Sequence, residues 1–129
     1  MSEPVAITEY VVRTIAETAI DNEKSFCDLE SVAGDEEFGY TLARGLAKLL
    51  EPWDEFDRSS VATFLQKVAM VVTSRVGGTS GPIWGTAFLR ASMVARKAET
   101  FDGATVVAML RSAAEGIMAR GGASLGEKT

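Results

Sequence analysis

Carboxylates are concentrated in residues 30–39, which read ESVAGDEEFG. Glu30, Asp35 and Glu37 are spaced i, i+5 and i+7, so they cannot share one face of a helix. A loop wrapped at Gly34 would bring them together, and converging carboxylates repel one another, so the pattern favours a bound hard cation such as Mg²⁺. The alternative is a solvated acidic loop ahead of a helix N-terminus, where the helix dipole favours negative side chains anyway. The spacing alone leaves both interpretations open.

A second segment of interest is residues 76–82, which read VGGTSGP and lie between two apolar segments with helical periodicity. Glycines let the backbone approach a ligand and expose its N–H groups, while Thr79 and Ser80 add hydroxyl donors. The helix that follows offers its positive N-terminus, so the segment suits phosphate oxygens. The alternative is an ordinary connection with a glycine C-cap, a serine N-cap and Pro82 in the first turn. The three glycines of this segment are more than such a turn needs.

A third segment, residues 120–129, reads RGGASLGEKT and is superficially similar to a phosphate-binding P-loop. It lacks the P-loop spacing, because Glu127 separates Gly126 from Lys128 and no strand precedes it. Taken alone, this segment predicts a flexible tail.

Two features of the composition exclude several kinds of chemistry. The chain contains no histidine, which excludes a histidine general base, a histidine-ligated zinc and a phosphohistidine on this chain. Cys27 is the one cysteine, so neither a disulfide framework within the chain nor a thiolate zinc site can form. Any metal here must therefore be held by oxygen ligands, as Mg²⁺, Ca²⁺ and Mn²⁺ are.

The overall charge argues against two classes of partner. Acidic residues outnumber basic residues 18 to 13, for a net charge of −5, whereas a nucleic acid or an anionic membrane surface requires a basic face. The first residues lack the basic and apolar regions of a signal peptide, and no apolar run reaches the length of a membrane helix. These features predict a cytoplasmic protein, and a length of 129 residues predicts one domain over residues 1–129.

The elements that must position these segments are helices, because strand alternation is absent and apolar residues recur at helical spacing. Helices are predicted over residues 4–25, 40–51, 61–76, 81–97 and 103–120, with residues 27–39 and 121–129 outside them. Ser59 or Ser60 is the predicted N-cap of the third helix, and Asp102 that of the fifth. Five helices joined by short connections predict an all-α fold, an antiparallel helical bundle.

The distribution of apolar residues predicts which helices are central. The third and fourth helices are apolar around much of their circumference, which indicates that they lie centrally or that something else covers them. On the fifth helix, the residues predicted to be buried are Val106, Val107, Leu110, Ala114 and Ile117.

Taken together, the three segments resemble the nucleotide-binding subunit of dihydroxyacetone kinase, the DhaL family. That family has an acidic loop of the form D-x-x-x-x-G-D-x-D-H-G, then V-G-G-A-S-G-P-L-F-G-T, then R-G-x-x-x-x-G-D-K-T. The counterparts here are residues 30–39, residues 76–86, and Arg120-Gly121 with residues 126–129. The order of the segments agrees over essentially the whole chain, residues 30–39 are one position shorter than the acidic-loop pattern, and the middle segment is the most specific.

The resemblance implies a fold, ligands and site residues. The family fold is a closed barrel of eight antiparallel helices that binds ADP or ATP at one end through magnesium ions held by the acidic loop. The implied metal ligands are Glu30, Asp35 and Glu37. The implied nucleotide-binding residues are Phe38, Gly39, Tyr40 and Thr41 along the nucleotide, Gly78, Thr79 and Ser80 at the phosphates, and Gly121 at the adenine.

The resemblance also implies an activity and partners. The activity is phosphoryl transfer to dihydroxyacetone or a related short ketose or polyol, which a separate substrate-binding subunit would hold, with ATP or a phosphocarrier protein as the donor. Five helices would leave such a barrel open, so we expect the chain to pair with itself, with the missing helices on another chain or with the substrate-binding subunit, and a homo-oligomer is the default expectation. Catalysis would consist of positioning and of charge neutralisation by magnesium.

This sequence departs from the family pattern in two ways. Glutamates replace the first and third aspartates of the acidic loop, at Glu30 and Glu37, and Phe38 replaces its histidine. The matching region also stops at Thr129, whereas family members continue for several more helices. These departures favour an alternative function, a degenerate binding or regulatory module without turnover. A third possibility is a helical bundle with no ligand.

Overall fold

The computed structural model describes residues 3–31, 38–78 and 80–122, and within these ranges it contains α-helices, one 3₁₀ turn and no strand. The helices are α1 (Glu3–Asp21), α2 (Glu23–Glu30), α3 (Phe38–Leu50), α4 (Val61–Arg75), α5 (Ser80–Lys97) and α6 (Gly103–Gly121), and the 3₁₀ turn is Trp53–Glu55. The prediction of an all-α helical bundle is confirmed. No helix of the described ranges is long and apolar enough to cross a lipid bilayer.

Helix α4 is the centre of the bundle. Its apolar residues recur every three or four positions, so Phe64, Val68 and Val72 share one face and are almost completely buried. The helix packs against α1, α3 and α5, which confirms its predicted central place. Ser60, and not Ser59, is its N-cap, because the Ser60 hydroxyl accepts a hydrogen bond from the Thr63 backbone N–H at 3.1 Å.

Helices α5 and α6 run antiparallel, since residues 98–102 are a short connection and the two helices pack along each other. Asp102 is the N-cap of α6, as predicted, and accepts a hydrogen bond from the Thr105 backbone N–H at 2.9 Å. The C-terminal end of α6 therefore lies at the same end of the bundle as the start of α5.

The opposite end of the bundle, beyond the last turn of α3, is closed by an aromatic cluster. Trp53 is buried, and its ring meets that of Phe64 edge to face with the centroids 5.5 Å apart. Arg58 lies over the Trp53 ring, and its Nε donates to Glu9 Oε1 at 3.0 Å. This pair ties the cluster to α1.

The predicted first helix, over residues 4–25, is wrong at its C-terminal end. Helix α1 ends at Asp21, because Asn22 leaves the helical region with φ −111° and ψ 21°. The Asn22 side chain donates to the Thr18 carbonyl at 2.8 Å, so its amide competes with continued helix. A separate helix, α2, then begins at Glu23.

The prediction that residues 27–39 lie outside any helix is also wrong for their first part, since α2 continues to Glu30. Helix α2 has no buried apolar stripe, which is why its periodicity did not reveal it. It is supported by an ion pair between Lys24 Nζ and Asp28 Oδ2 at 2.8 Å and by its packing against α3.

The face of α6 that was predicted to be buried is largely exposed. Val106, Val107, Leu110 and Ala114 are exposed and Ile117 is half-buried, whereas Met109 and Gly116 are buried. The reason is that α6 packs mainly on α5. Gly116 is a point of close approach, because a Cβ there would lie 2.9 Å from Arg90 Cγ. The longer apolar side chains point to a side where the described part of the chain has no helix.

Candidate functional site

The acidic segment joins α2 to α3, since α2 ends at Glu30 and α3 begins at Phe38. Asp35 and Glu37 lie outside the described residues, as do the side chains of Glu30 and Phe38. Among the described residues, no group of three or more His, Cys, Asp or Glu side chains could hold a metal ion. The metal site that the resemblance implies therefore stays a prediction.

Gly39, in the first turn of α3, brings that turn against the backbone of α2. A Cβ at this position would lie 2.5 Å from the Glu23 carbonyl oxygen and 2.7 Å from the Cys27 nitrogen. Only glycine allows so close an approach without a shift of one helix. The two helices that flank the acidic segment are therefore packed directly on one another.

The glycine-rich turn lies beside the first turn of α3. A Cβ on Gly77 would lie 3.3 Å from the Thr41 Cγ2 methyl, so these two residues approach each other closely. The structure thus brings the glycine turn beside Thr41, one of the nucleotide-binding residues that the resemblance implies. Thr41 is half-buried, and Gly77 and Gly78 are exposed, so a ligand can reach this place from solvent.

Val76 holds the turn in this place. It is 4% exposed, and a Cβ on Gly45 of α3 would overlap its Cγ2 and lie 2.6 Å from its Cα. A Cβ on Gly81 of α5 would overlap the Val76 carbonyl oxygen. Val76 therefore sits between two glycines, one on each neighbouring helix, and its position fixes that of the turn that follows it.

The glycines of the turn have different roles. Gly78 has φ +62° and nothing within 4 Å of a Cβ, so it serves the backbone conformation of the turn. Gly81 and Gly85 instead let α5 pack closely on α4, since a Cβ at either position would overlap an atom of Val76 or Thr73. The sequence has more glycines in residues 76–82 than a turn needs, and this was interpreted as a sign of a ligand. Helix packing explains part of that number.

The predicted phosphate contacts fall at the start of α5. Ser80 is the first residue of that helix and is half-buried, and Thr79 lies outside the described residues. Gly121 is the last residue of α6 and is exposed. Because α5 and α6 are antiparallel, Gly121 and Ser80 lie at the same end of the bundle.

Arg44, a basic residue at this end of the bundle, was not among the predicted site residues. The Arg44 guanidinium carbon lies 4.7 Å from the centroid of the Tyr40 ring, a cation–π contact on the outer face of α3. Tyr40, a predicted nucleotide contact, is half-exposed and presents its ring together with this charge. The pairing of Tyr40 with Arg44 could have been predicted from the sequence, because residues 40 and 44 are one helical turn apart.

Two helices begin at this end of the bundle. Helix α3 begins at Phe38 and α5 at Ser80, and the close approach of Gly77 to Thr41 places the turn that precedes α5 beside the first turn of α3. Each start carries N–H groups without intrahelical partners and the positive end of a helix dipole. Together they form a surface that suits the negatively charged oxygens of a phosphate chain.

Comparison with known proteins gives the family. A DAK2 domain matches residues 32–129. The ADP-binding subunit DhaL of PEP-dependent dihydroxyacetone kinase 1 from Listeria innocua is 36% identical over 109 residues, which cover 84% of this chain and 54% of that subunit. The corresponding subunit of the PEP-dependent kinase from Escherichia coli is 32% identical over 78% of this chain and 48% of its own length.

The helical fold and these matches define the class, a DAK2-domain protein. The chain belongs to the DAK2-domain family, and within that family it is similar to the ADP-binding DhaL subunits of dihydroxyacetone kinases. The chain spans about half the length of the DhaL subunits that it matches. A larger protein, L-erythrulose kinase from Pectobacterium atrosepticum, is also similar, with 32% identity over 78% of this chain and 18% of that enzyme.

Proposed function

We propose that this chain is the nucleotide-binding part of a dihydroxyacetone kinase-like phosphotransferase and binds ADP or ATP with Mg²⁺. The observation that carries the proposal is the close approach of Gly77 to Thr41, because it brings the glycine turn beside the first turn of α3. The ADP-binding names of the matched relatives support the same ligand. Phe38, Gly39, Tyr40 and Thr41 would then follow the nucleotide from one side.

Each group at the site has a distinct proposed task. The backbone N–H groups of Gly78 and Thr79 and the hydroxyl of Ser80 would donate to phosphate oxygens, while Gly121 would lie at the adenine. Arg44 would offset negative charge beside the phosphates. Mg²⁺, when bound, would neutralise phosphate charge and so assist transfer of the phosphoryl group to the acceptor.

Glu30, Asp35 and Glu37 are the residues that would hold Mg²⁺. Carboxylate oxygens are the ligands that this ion prefers, at about 2.0–2.1 Å in near-octahedral geometry. Asp35 keeps the short side chain of the family pattern, whereas Glu30 and Glu37 are longer by one methylene. Asp35 is therefore the ligand that we expect to contribute most.

We further propose that the acceptor, dihydroxyacetone or a related short ketose or polyol, is held by a separate substrate-binding subunit. This chain contains no histidine, so it could not itself pass a phosphoryl group through one. The phosphoryl donor would be ATP or a phosphocarrier protein. The PEP-dependent names of two relatives favour a donor other than ATP, and the erythrulose kinase supports a short ketose as acceptor. A cytoplasmic location and self-association stay predictions.

Calorimetry on the 129-residue chain with Asp35→Asn tests the proposal. With Mg²⁺ present, we expect the variant to bind ADP at least about tenfold more weakly, because a carboxylate ligand is lost. Without Mg²⁺, its affinity should match that of the native chain. Asp54→Asn is the matched control, since Asp54 is exposed at the aromatic end of the bundle. Equal loss of affinity in both conditions would show that Asp35 is no metal ligand.

A second candidate function is a degenerate binding or regulatory module. The substitutions at Glu30, Glu37 and Phe38 favour it, because they alter the acidic loop while the glycine turn is retained. A kinase assay with the substrate-binding subunit of a matched relative separates the two functions. ADP binding without phosphoryl transfer would assign the chain to the second.

A further inference from the structure

The charges of the chain are segregated between its helices. Helices α3, α4 and α5 carry seven of the 13 basic residues of the chain and none of its 18 acidic residues. All of these basic residues are exposed except Arg90, which is half-buried. The net charge of −5 argued against an anionic membrane surface as a partner, but it is an average over the whole chain. Three consecutive helices are basic.

Most of these cations point to one side of the bundle, which is opposite to an apolar groove. The groove lies between α1 and α6, encloses about 370 Å³ and takes its floor from α4 and α5, at Leu65, Ala87 and Ala91 among others. Residues two apart on a helix point in nearly opposite directions, because each residue turns the helix by about 100°. Lys67 is two residues from Leu65, and Leu89 is two residues from both alanines. Lys67 and Leu89 therefore point away from the groove.

The side of α3, α4 and α5 that points away from the groove is called the outer face below. The same spacing from buried residues places further side chains on it, and the Arg96 guanidinium joins them because it donates to Gln66 Oε1 of α4 at 2.8 Å. The outer face comprises the cations Lys48, Lys67 and Arg96 and the apolar side chains Met70, Leu89 and Met93. Arg44 lies at the end of this face that is near the glycine turn.

The cations of the outer face are not neutralised by any described residue. Every ion pair within the described ranges involves α1 or α2, namely Arg13 with Glu17, Lys24 with Asp28, and Arg58 with Glu9. Gln66, the partner of Arg96, is uncharged. Met70 is 56% exposed and Met93 is 47% exposed. The face therefore combines uncompensated positive charge with exposed apolar side chains.

The acidic residues of α1 lie on the other side of the bundle, because α1 is a wall of the groove. Helix α4 stands between α1 and the outer face, and one helix is about 10 Å across. In physiological salt, charges are largely screened beyond a Debye length of about 8 Å. A flat anionic surface that approaches the outer face therefore meets mainly the cations of that face.

We propose that the outer face of α3, α4 and α5 binds an anionic lipid surface, with its cations at the headgroups and its methionine and leucine side chains at the boundary with the acyl chains. Basic clusters beside exposed apolar side chains bind membranes with acidic headgroups in this way. Lipid headgroups move laterally to each cation, whereas a protein partner needs carboxylates fixed opposite three helices. The face runs along the helix axes, so a bound membrane leaves the glycine turn accessible.

Sedimentation of the 129-residue chain with lipid vesicles tests the inference, and it contains no nucleotide, so the result does not depend on the proposed function. One set of vesicles contains equal parts of phosphatidylglycerol and phosphatidylcholine, and the other contains phosphatidylcholine alone. We expect the chain to bind the first set at least about tenfold more strongly than the second. Raising the salt from about 0.1 M to about 1 M should release it, because the Debye length falls from about 10 Å to about 3 Å.

Lys67→Glu should weaken binding to the anionic vesicles at least about tenfold, because it replaces a cation of the outer face by an anion. Arg13→Glu is the matched control, since it changes the net charge equally and lies on α1. It should bind as the native chain does. Met93→Ser should weaken binding about threefold, because it removes apolar surface from the boundary. All three positions are exposed, so circular dichroism should show the helicity of the native chain in each variant.

Four results would overturn the inference. One is that the native chain does not sediment with the anionic vesicles. Another is equal binding to both sets of vesicles, which would assign the contact to the apolar groove. The third is an equal loss in Lys67→Glu and Arg13→Glu, which would show that net charge alone decides. The last is self-association without vesicle binding that Lys67→Glu disperses, which would assign the outer face to an acidic protein surface.

Discussion

The contact between Gly45 and Val76 predicts that one methyl group disturbs the candidate site from a distance. In Gly45→Ala, the new Cβ would lie 2.6 Å from Val76 Cα and 2.9 Å from Val76 Cβ, and would overlap Cγ2. Ordinary carbon contacts begin near 3.5 Å, so α3 and the end of α4 must separate by about 1 Å. Gly77 follows Val76 directly, so its distance from Thr41 should increase by a similar amount.

The change in the stability of the fold that Gly45→Ala causes is the sum of two opposing effects. Overpacking of a core costs about 1–3 kcal/mol, whereas replacing a helical glycine by alanine returns up to about 1 kcal/mol. We therefore expect a net loss of about 1–2 kcal/mol, which lowers the melting temperature of a chain of this size by about 4–8 °C. The displacement of the turn should weaken ADP binding at least about tenfold.

Thermal unfolding and calorimetry with ADP and Mg²⁺ measure the two effects on the same sample. Gly103→Ala is the matched control, since a Cβ there would meet nothing within 4 Å. Adding Val76→Ala to Gly45→Ala should restore only part of the loss, because the contacts with the Val76 backbone remain. The reasoning is refuted if Gly45→Ala matches Gly103→Ala in melting temperature and in affinity.

Three further predictions concern α5, the glycine turn and the N-cap of α6. Gly85→Ala should destabilise the chain in urea unfolding, and Thr73→Ala should reverse most of the loss, because the overlap is with the Thr73 hydroxyl; a lack of reversal would contradict it. Gly78→Val should abolish ADP binding and keep the helicity seen by circular dichroism, because its φ of +62° resists a β-branched side chain; general unfolding would contradict it. The hydrogen bond from the Thr105 N–H holds the pKa of the Asp102 carboxyl below its usual value. The charged Asp102 side chain therefore stabilises the folded chain fully at any pH above the pKa that this carboxyl has in the unfolded chain. That stabilisation disappears as the pH falls through the lower pKa that the carboxyl has in the folded chain. The difference in melting temperature between the native chain and Asp102→Ala should therefore be constant near neutral pH and vanish in acid; a constant difference down to the lowest pH would contradict it.

Helix α4 shows what could be predicted from the sequence. Its buried residues follow from the repeat of Phe64, Val68 and Val72, and its start follows from the serine cap. Both signals are local, because periodicity and capping depend on neighbouring residues. The fold class could be predicted on the same basis.

Helices α2 and α6 show what could not be predicted from the sequence. Helix α2 is supported by an ion pair and by the close approach of Gly39, and neither produces an apolar repeat. On α6, the apolar repeat was read correctly, but Leu110 and its neighbours face a side without a described helix. Whether an apolar helix face is buried depends on the element that packs against it, and the sequence of that helix alone does not specify this element.

The segments that form the candidate site could be predicted from the sequence, but their arrangement in space could not. Glycine spacing selected residues 76–82, yet nothing local indicates that Gly77 approaches Thr41 on another helix. The roles of Gly81 and Gly85 in packing depend on the closeness of α4, which is a tertiary feature. Resemblance to the DhaL family supplied the association that spacing could not.

Amide chemical shifts of the 129-residue chain, followed by NMR during titration with ADP and Mg²⁺, test the proposed nucleotide site most directly. We predict that the largest changes occur at the amides of Thr41, Gly77, Gly78 and Ser80, where the glycine turn lies beside the first turn of α3. The amide of Trp53, at the other end of the bundle, should not move. Absence of any change, or changes confined to the groove between α1 and α6, would contradict the proposal that this chain binds a nucleotide at the glycine turn.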